Sequence, residues 1–298
     1  MAETLQILFK ISMVLFMAGN LLDMGLRLEL QEALAGLRNV RFVVLILLWG
    51  FVLCPALAYL LTRVIPMDPG YGIGLILLAM APGAPYLPMV VDKSRGDLGY
   101  AAATMLMTAV GTVVFMPIAV PLLTTGLTAS AWTIAKPLLF FILIPFAIGI
   151  AVHFAWEPVS AKLHPFVKTT TTIATLVLVV VVFAIYGKQF ISAVGSYEIA
   201  AQIVFLAVVT TASYRLRLGL APNQKSVLVL GLVSRNIGAA AAPLLAVSGV
   251  DQRSLIMVTL ALPITVLWSF LVAIWFGRRA SMIAAAAKQT TSQVNGSA

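Results

Sequence analysis

The residue that could do the most chemistry stands in an unexpected place. Arg235 lies inside the stretch SVLVLGLVSRNIGAAAAPLLAV (226–247), with about ten apolar residues on either side. An arginine keeps its proton and offers five N–H donors in a rigid fork. At mid-membrane depth such a group is costly, so it faces a polar interior and pairs with carbonyls or with an anion. Ser234 and Asn236 flank it, Gly231 and Gly238 interrupt the run, and Pro243 follows. A second interruption reads APGAPYLP (81–88), in which Pro82, Pro85 and Pro88 surround Gly83. Each proline removes a backbone donor and clashes with the carbonyl one turn back, so this stretch cannot form a smooth helix. Backbone broken at membrane depth must be buried in protein or line a cavity. Arg235 is therefore assigned charge recognition or stabilisation of the break. Asn236 and Tyr86 are candidates for hydrogen bonds to a substrate, and Ser234, Thr104 and Thr108 join Arg235 and these two as candidate substrate-binding residues.

Other chemistries find no residues to perform them. No nucleophile, base and orienting group occur together, and neither a Walker nor a dinucleotide fingerprint is present, so the chain reads as a non-enzyme without a cofactor. His153 and His164 join no carboxylates in metal-ligand spacing, and no metal is assigned. Cys54 is the only cysteine, which excludes an intrachain disulfide. Asp23 and Glu198 fall near helix ends and read as surface groups, which leaves no carboxylate at mid-span for a proton relay. Asp92, Lys93, Arg95 and Asp97 read as a solvated turn.

The elements that must position these residues follow from composition. Of 298 residues, 61% are hydrophobic and 10% charged, with a mean hydropathy of +1.06. An ordinary soluble domain carries about 25% charged residues. A helix needs roughly 20 apolar residues to cross a bilayer, and nine windows qualify: 4–24, 41–62, 70–91, 98–123, 132–154, 166–187, 195–215, 223–247 and 252–276. They are apolar on all faces, which excludes a β-barrel. The expectation is an all-α, multi-pass protein of the plasma (inner) membrane with nine spans. The first span is retained rather than cleaved as a signal, and a disordered polar tail lies within 277–298. The net charge of +9 would suggest nucleic acid in a soluble chain, but no soluble surface exists to bind it. Nine spans place thirteen Lys and Arg on one side, five on the other and Arg235 between. The positive-inside rule then puts the N-terminus outside and the C-terminus in the cytoplasm.

The two interrupted windows, the third and the eighth, each stand third in a group of four. Spans 1–4 and 6–9 then form inverted repeats joined by span 5. Broken spans at matching positions of inverted halves point to a transporter's central site.

In this order the segments APGAP (81–85), RGDLGYAA (95–102), MPIAVPLL (116–123) and RNIG (235–238) resemble the bile acid:sodium symporter family across essentially the whole chain. The resemblance implies a panel domain (4–62 and 132–187) and a core domain (70–123 and 195–276). In the core the two broken helices cross, and an organic anion binds beside the crossing. It also implies sodium ligands that this sequence lacks. Leu87 and Pro88 stand for a Ser-Asn pair, Ala101 and Met105 for two hydroxyl residues, and Gly231 and Arg235 for a Glu and a Gln, with Asn236 alone retained. The expectation is a secondary transporter of a small organic anion working by alternating access without two-sodium coupling. The alternatives are a non-transporting receptor or assembly protein on the same scaffold and a facilitative anion channel or uniporter. Oligomeric state, direction and the identity of the anion stay open.

Overall fold

A computed structural model describes residues 2–124, 130–193, 197–216, 219–247 and 249–296. Residues 195–196 of the seventh window, Arg217 and residues 297–298 lie outside the described residues. Twelve helices follow in chain order. They are α1 (Ala2–Gly25), α2 (Leu30–Leu37), α3 (Val40–Val64), α4 (Pro69–Ala79), α5 (Leu87–Lys93), α6 (Leu98–Leu123) and α7 (Ala131–Ala155). The remainder are α8 (Glu157–Ala193), α9 (Tyr197–Arg215), α10 (Pro222–Val233), α11 (Ile237–Ala246) and α12 (Gln252–Gly296). Seven of them, α1, α3, α6, α7, α8, α9 and α12, are long and apolar enough to cross a membrane. They coincide with seven of the nine windows. The other two windows form paired short helices instead, α4 with α5 and α10 with α11.

Local chemistry explains where helices start and bend. Asn39, Asp68, Asp97 and Ser130 accept backbone N–H bonds at the first turns of α3, α4, α6 and α7, each satisfying a donor that the helix itself leaves free. Helices α3 and α7 each widen into a π turn, Trp49–Leu53 and Leu139–Leu143. Pro55 and Pro145 stand two residues beyond, and the wider turn makes room for a ring that would strike the carbonyl four residues back.

Helix α1 packs against α7 and α8. Its approach to α7 is a glycine contact: a Cβ on Gly149 would come within 2.6 Å of the Leu22 carbonyl oxygen. In lipid, such close backbone packing substitutes for a hydrophobic drive. Helix α12 packs along α4, and α10 touches α3, α5, α6, α9 and α12. The window 41–62, grouped with 4–24 in the sequence reading, packs as α3 against α4, α9 and α10 instead. An all-round apolar helix names no neighbour, and here the neighbour is the broken-helix region. A second difference concerns the C-terminus, where α12 continues to Gly296 through the tail read as disordered.

Polar side chains tie together the ends of several helices. Asp23 and Arg27 at the end of α1 meet His164 near the start of α8, and Asn223 of α10 reaches Asp97 at the start of α6. The opposite ends of α4 and α12 are tied by Arg253 to Asp68, at 2.9 Å, and by Ser254 to the Gly70 carbonyl.

Candidate functional site

The two helix interruptions meet. Between α4 and α5 the chain is non-helical at Ala81–Ala84, and between α10 and α11 it is extended at Ser234 and Asn236; Pro82 and Arg235 form an antiparallel bridge. Gly83 N donates to the Ser234 carbonyl at 2.8 Å and Asn236 N to the Ala81 carbonyl at 2.9 Å, while Gly83 N also reaches the Gly231 carbonyl at 3.0 Å. Each break therefore supplies the partners the other lost, which is how non-helical backbone survives away from water. Gly83 adopts φ +78, and its missing Cβ makes room for the Thr108 hydroxyl. Pro82, Gly83 and Pro85 belong to the first break, whereas Pro88 lies inside the first turn of α5. Gly231 and Gly238, assigned to the second break from sequence, lie inside α10 and α11 on either side of it. Their service is close packing: a Cβ on Gly231 would meet the Thr104 methyl at 2.8 Å, and one on Gly238 would meet Met17 Cγ at 2.9 Å.

Arg235 is 1% exposed. Its Nη1 donates to the Ala79 carbonyl at 3.1 Å, its Nη2 lies 3.1 Å from Cys54 Sγ, and its guanidinium sits 4.9 Å from the Phe205 ring centre. Nε is buried without a partner. Ala79 ends α4, so the cation rests on the negative end of a half-helix. Asn236 caps α11 by accepting from Ala239 N at 3.1 Å. Ser234 Oγ pairs with Ser269 Oγ at 3.2 Å. Thr104 and Thr108 donate back to the Tyr100 and Thr104 carbonyls one turn earlier. The Tyr86 hydroxyl is buried beside Ser234, Thr265 and Ser269 and completes no hydrogen bond with them.

A cleft runs from the crossing to α1 and α8. Its narrow centre, about 70 Å³, is lined by Asn20, Pro85, Tyr86, Arg235 and Asn236 among others. One end widens into a polar cavity of about 200 Å³ that shares Asn20, Pro85 and Tyr86 and adds Asp23, Arg27, Lys168, Thr171 and Thr175. The other end opens into an apolar cavity of about 360 Å³ reached past Phe16, Ile237 and Leu262. Of the sequence candidates, Tyr86, Arg235 and Asn236 line the cleft, while Ser234, Thr104 and Thr108 line none of these three cavities. The Arg235 guanidinium takes its partners on α3, α4 and α9, the side away from α1.

The crossing, with its reciprocal bonds, is a transporter's architecture, and the family comparison agrees. The model of the Sodium Bile acid symporter family matches residues 13–193. The chain belongs to that family. No curated protein matches the sequence. Membership in the Sodium Bile acid symporter family makes the chain one of a family of transporters rather than catalysts. Among the described residues, no three His, Cys, Asp or Glu gather into a metal set.

Sequence reasoning missed one set of cleft residues. Asp23, read as a surface group, is 8% exposed; its carboxylate holds Arg27 Nη2 at 2.6 Å, and His164 Nε2 stands at 3.2 Å. It is buried because the first turns of α8 cover the end of α1. The signal was present twice: Asn20 and Asp23 on α1 with Arg27 in the turn that follows, and Lys168, Thr171 and Thr175 on α8, are both polar stripes at i, i+3, i+7, the spacing of one helix face. Glu198 lines none of the three cavities. It stands close enough to Tyr71 to act on it electrostatically.

Proposed function

We propose that this protein is a secondary transporter of a small organic anion, working by alternating access, in which a fixed arginine charge stands where relatives would take up sodium. The observation that carries the reading is the Arg235 guanidinium donating to the Ala79 carbonyl at the end of α4. Half-helix C-termini and freed carbonyls are the usual cradle of a coupling cation in broken-helix transporters. A guanidinium answers the same negative potential permanently. A sodium ion placed beside it meets repulsion of about 4 kcal/mol at 4 Å in an effective dielectric of 20. The neighbouring positions add no counter-ligand, for Leu87 is fully buried and Gly231 packs so closely on the Thr104 methyl that a carboxylate side chain has no room.

On this reading each half-helix pair is one traverse, giving nine with the seven long helices, arranged as inverted repeats. The N-terminus lies outside and the C-terminus in the cytoplasm of a plasma (inner) membrane. The panel comprises α1, α7 and α8, and the core comprises α3 to α6 with α9 to α12. The anion lies in the cleft between them. Tyr86 and Asn236 face its polar end, Arg27 and Lys168 supply positive charge at the polar mouth, and the apolar cavity takes its body. Arg235 contributes through the crossing it holds rather than by touching the substrate.

The test is uptake of labelled carboxylates and sulfonates into proteoliposomes, with sodium and proton gradients imposed separately. Saturable flux that a sodium gradient fails to concentrate is the expected result. Sodium-driven accumulation would overturn the fixed-charge reading. Absence of flux for every probe, with monodisperse protein, would favour a receptor; flux that never saturates would favour a channel.

A further inference from the structure

A second cavity lies away from the cleft, on the face where basic residues gather. It holds about 380 Å³ between the turn after α5, the end of α9, the start of α10 and the later part of α12. Three cations line it, Arg95, Lys225 and Arg279, together with the polar groups of Ser94, Asn223 and Ser226, and no carboxylate among the described residues lines it. Basic residues on this face serve topology, but topology does not require that they surround a hollow. Nor does it require a lysine drawn inside. Lys225 is 6% exposed, with its Nζ 3.1 Å from the Tyr214 ring centre, and Arg279 lies over the same ring at 5.8 Å.

The walls are fixed. Arg95 adopts φ +56, uncommon for a residue with a Cβ, and is held there by Arg95 N on the Asp92 carbonyl and Gly96 N on the Val91 carbonyl, both at 2.9 Å. A Cβ on Gly96 would come within 2.7 Å of Ser226 Oγ, and one on Gly277 within 2.5 Å of the Lys93 carbonyl. The turn is thus clamped between α10 and α12. The first residues of α10, Pro222 and Asn223, line the hollow, so the positive end of a twelve-residue helix adds to the side-chain charges. Tyr214, Phe276 and Ile283 form an apolar wall beside them.

We propose that this cavity binds a phosphate group, as a monoester or diester. Two arginine forks and an ammonium match an oxyanion with several acceptors better than a single carboxylate, and the apolar wall accepts the hydrocarbon part of whatever carries it. Bound there, phosphate would tie α12 to the turn after α5 and the start of α10. The proposal does not depend on which anion the cleft takes. Two sources share the chemistry, a lipid headgroup and a soluble phosphate ester, and the test separates them.

Purified full-length protein is delipidated in detergent, and binding of dioleoylphosphatidylglycerol and dioleoylphosphatidylcholine is measured by native mass spectrometry. The expected result is selective retention of phosphatidylglycerol. Arg95→Gln with Arg279→Gln, both exposed side chains, weakens it about thirtyfold, roughly fivefold for each charge. Arg278→Gln, which removes the same charge beside the cavity, leaves it within about twofold. Displacement of the lipid by sn-glycerol 3-phosphate, with the same dependence on Arg95 and Arg279, assigns the site to soluble phosphate esters. Failure of that compound to compete assigns it to the headgroup. Equal retention of phosphatidylcholine, or equal weakening by Arg278→Gln, overturns the proposal. Should the double variant not fold, Arg95→Gln alone carries the comparison, with about fivefold as the expected loss.

Discussion

At Ala81–Ala84 the chain leaves its helix by subtraction: prolines remove donors, and Gly83 turns through a positive φ. At Ser234–Asn236 it leaves by addition, where three polar side chains offer partners that compete with the helix. The first break carries no charge and depends on backbone shape. The second carries a cation and an N-cap and depends on side-chain hydrogen bonds. They are joined through reciprocal backbone bonds, so each is an incomplete structure completed by the other. Damage to either should therefore reach both, but through different physics.

The largest expected effect is on the charged break. Arg235→Leu removes a buried side chain and leaves the Ala79 carbonyl without its charged partner. A lost hydrogen bond to a charged group costs about 1.5–3 kcal/mol, and imperfect filling of the space adds about 1–3 kcal/mol. Thermal unfolding in detergent should report a loss of about 2.5–6 kcal/mol from these terms together, with flux abolished. Arg235→Lys keeps the charge, surrenders the fork and should fall between. If Arg235→Leu melts with the wild type, the second break is not held by its cation.

The shape-dependent break answers to a different change. Gly83→Ala forces a Cβ into positive φ, a cost of about 1–2 kcal/mol, and drives it against the Thr108 hydroxyl, adding about 1–3 kcal/mol of overpacking. Thr108→Ala removes the struck oxygen and should recover part of the second cost but none of the first. Full recovery in the double variant would mean that Gly83 is needed for space and not for its backbone conformation.

How much of this was legible in the sequence depended on the kind of information each feature carries. Seven of nine windows became long helices because length and apolarity alone decide that outcome. The breaks at Pro82–Pro85 and at Arg235 were legible because proline and buried charge act locally. The partners of Arg235 were not, since Ala79 and Cys54 lie 156 and 181 residues away and nothing local marks either one. The neighbours of α3 were not legible for a related reason: lipid is as apolar as they are, so hydropathy cannot say which protein surface a span prefers. The Asn20–Asp23–Arg27 spacing was legible but went unread, because Asp23 falls near a helix end, where exposure is the ordinary expectation.

Tyr86 is where the comparison turns from stability to function. It sits at the exit of the first break, at the N-cap position of α5, and its buried hydroxyl completes no hydrogen bond. A buried hydroxyl without a partner costs free energy, so Tyr86→Phe should leave the melting temperature unchanged or raise it slightly. Tyr86 also lines the cleft centre, where a small shift of its ring would present the hydroxyl to an occupant. If it pairs with the anion, its loss should raise KM about fivefold to tenfold, the value of one hydrogen bond of about 1–1.5 kcal/mol, while kcat changes little. Loss of stability without any change in KM would mean instead that the hydroxyl belongs to the Ser234–Ser269 pair and serves the crossing. The first break would then contribute shape alone, and the substrate's hydrogen bonds would have to come from Asn236 and from the Asn20 and Thr175 side of the cleft.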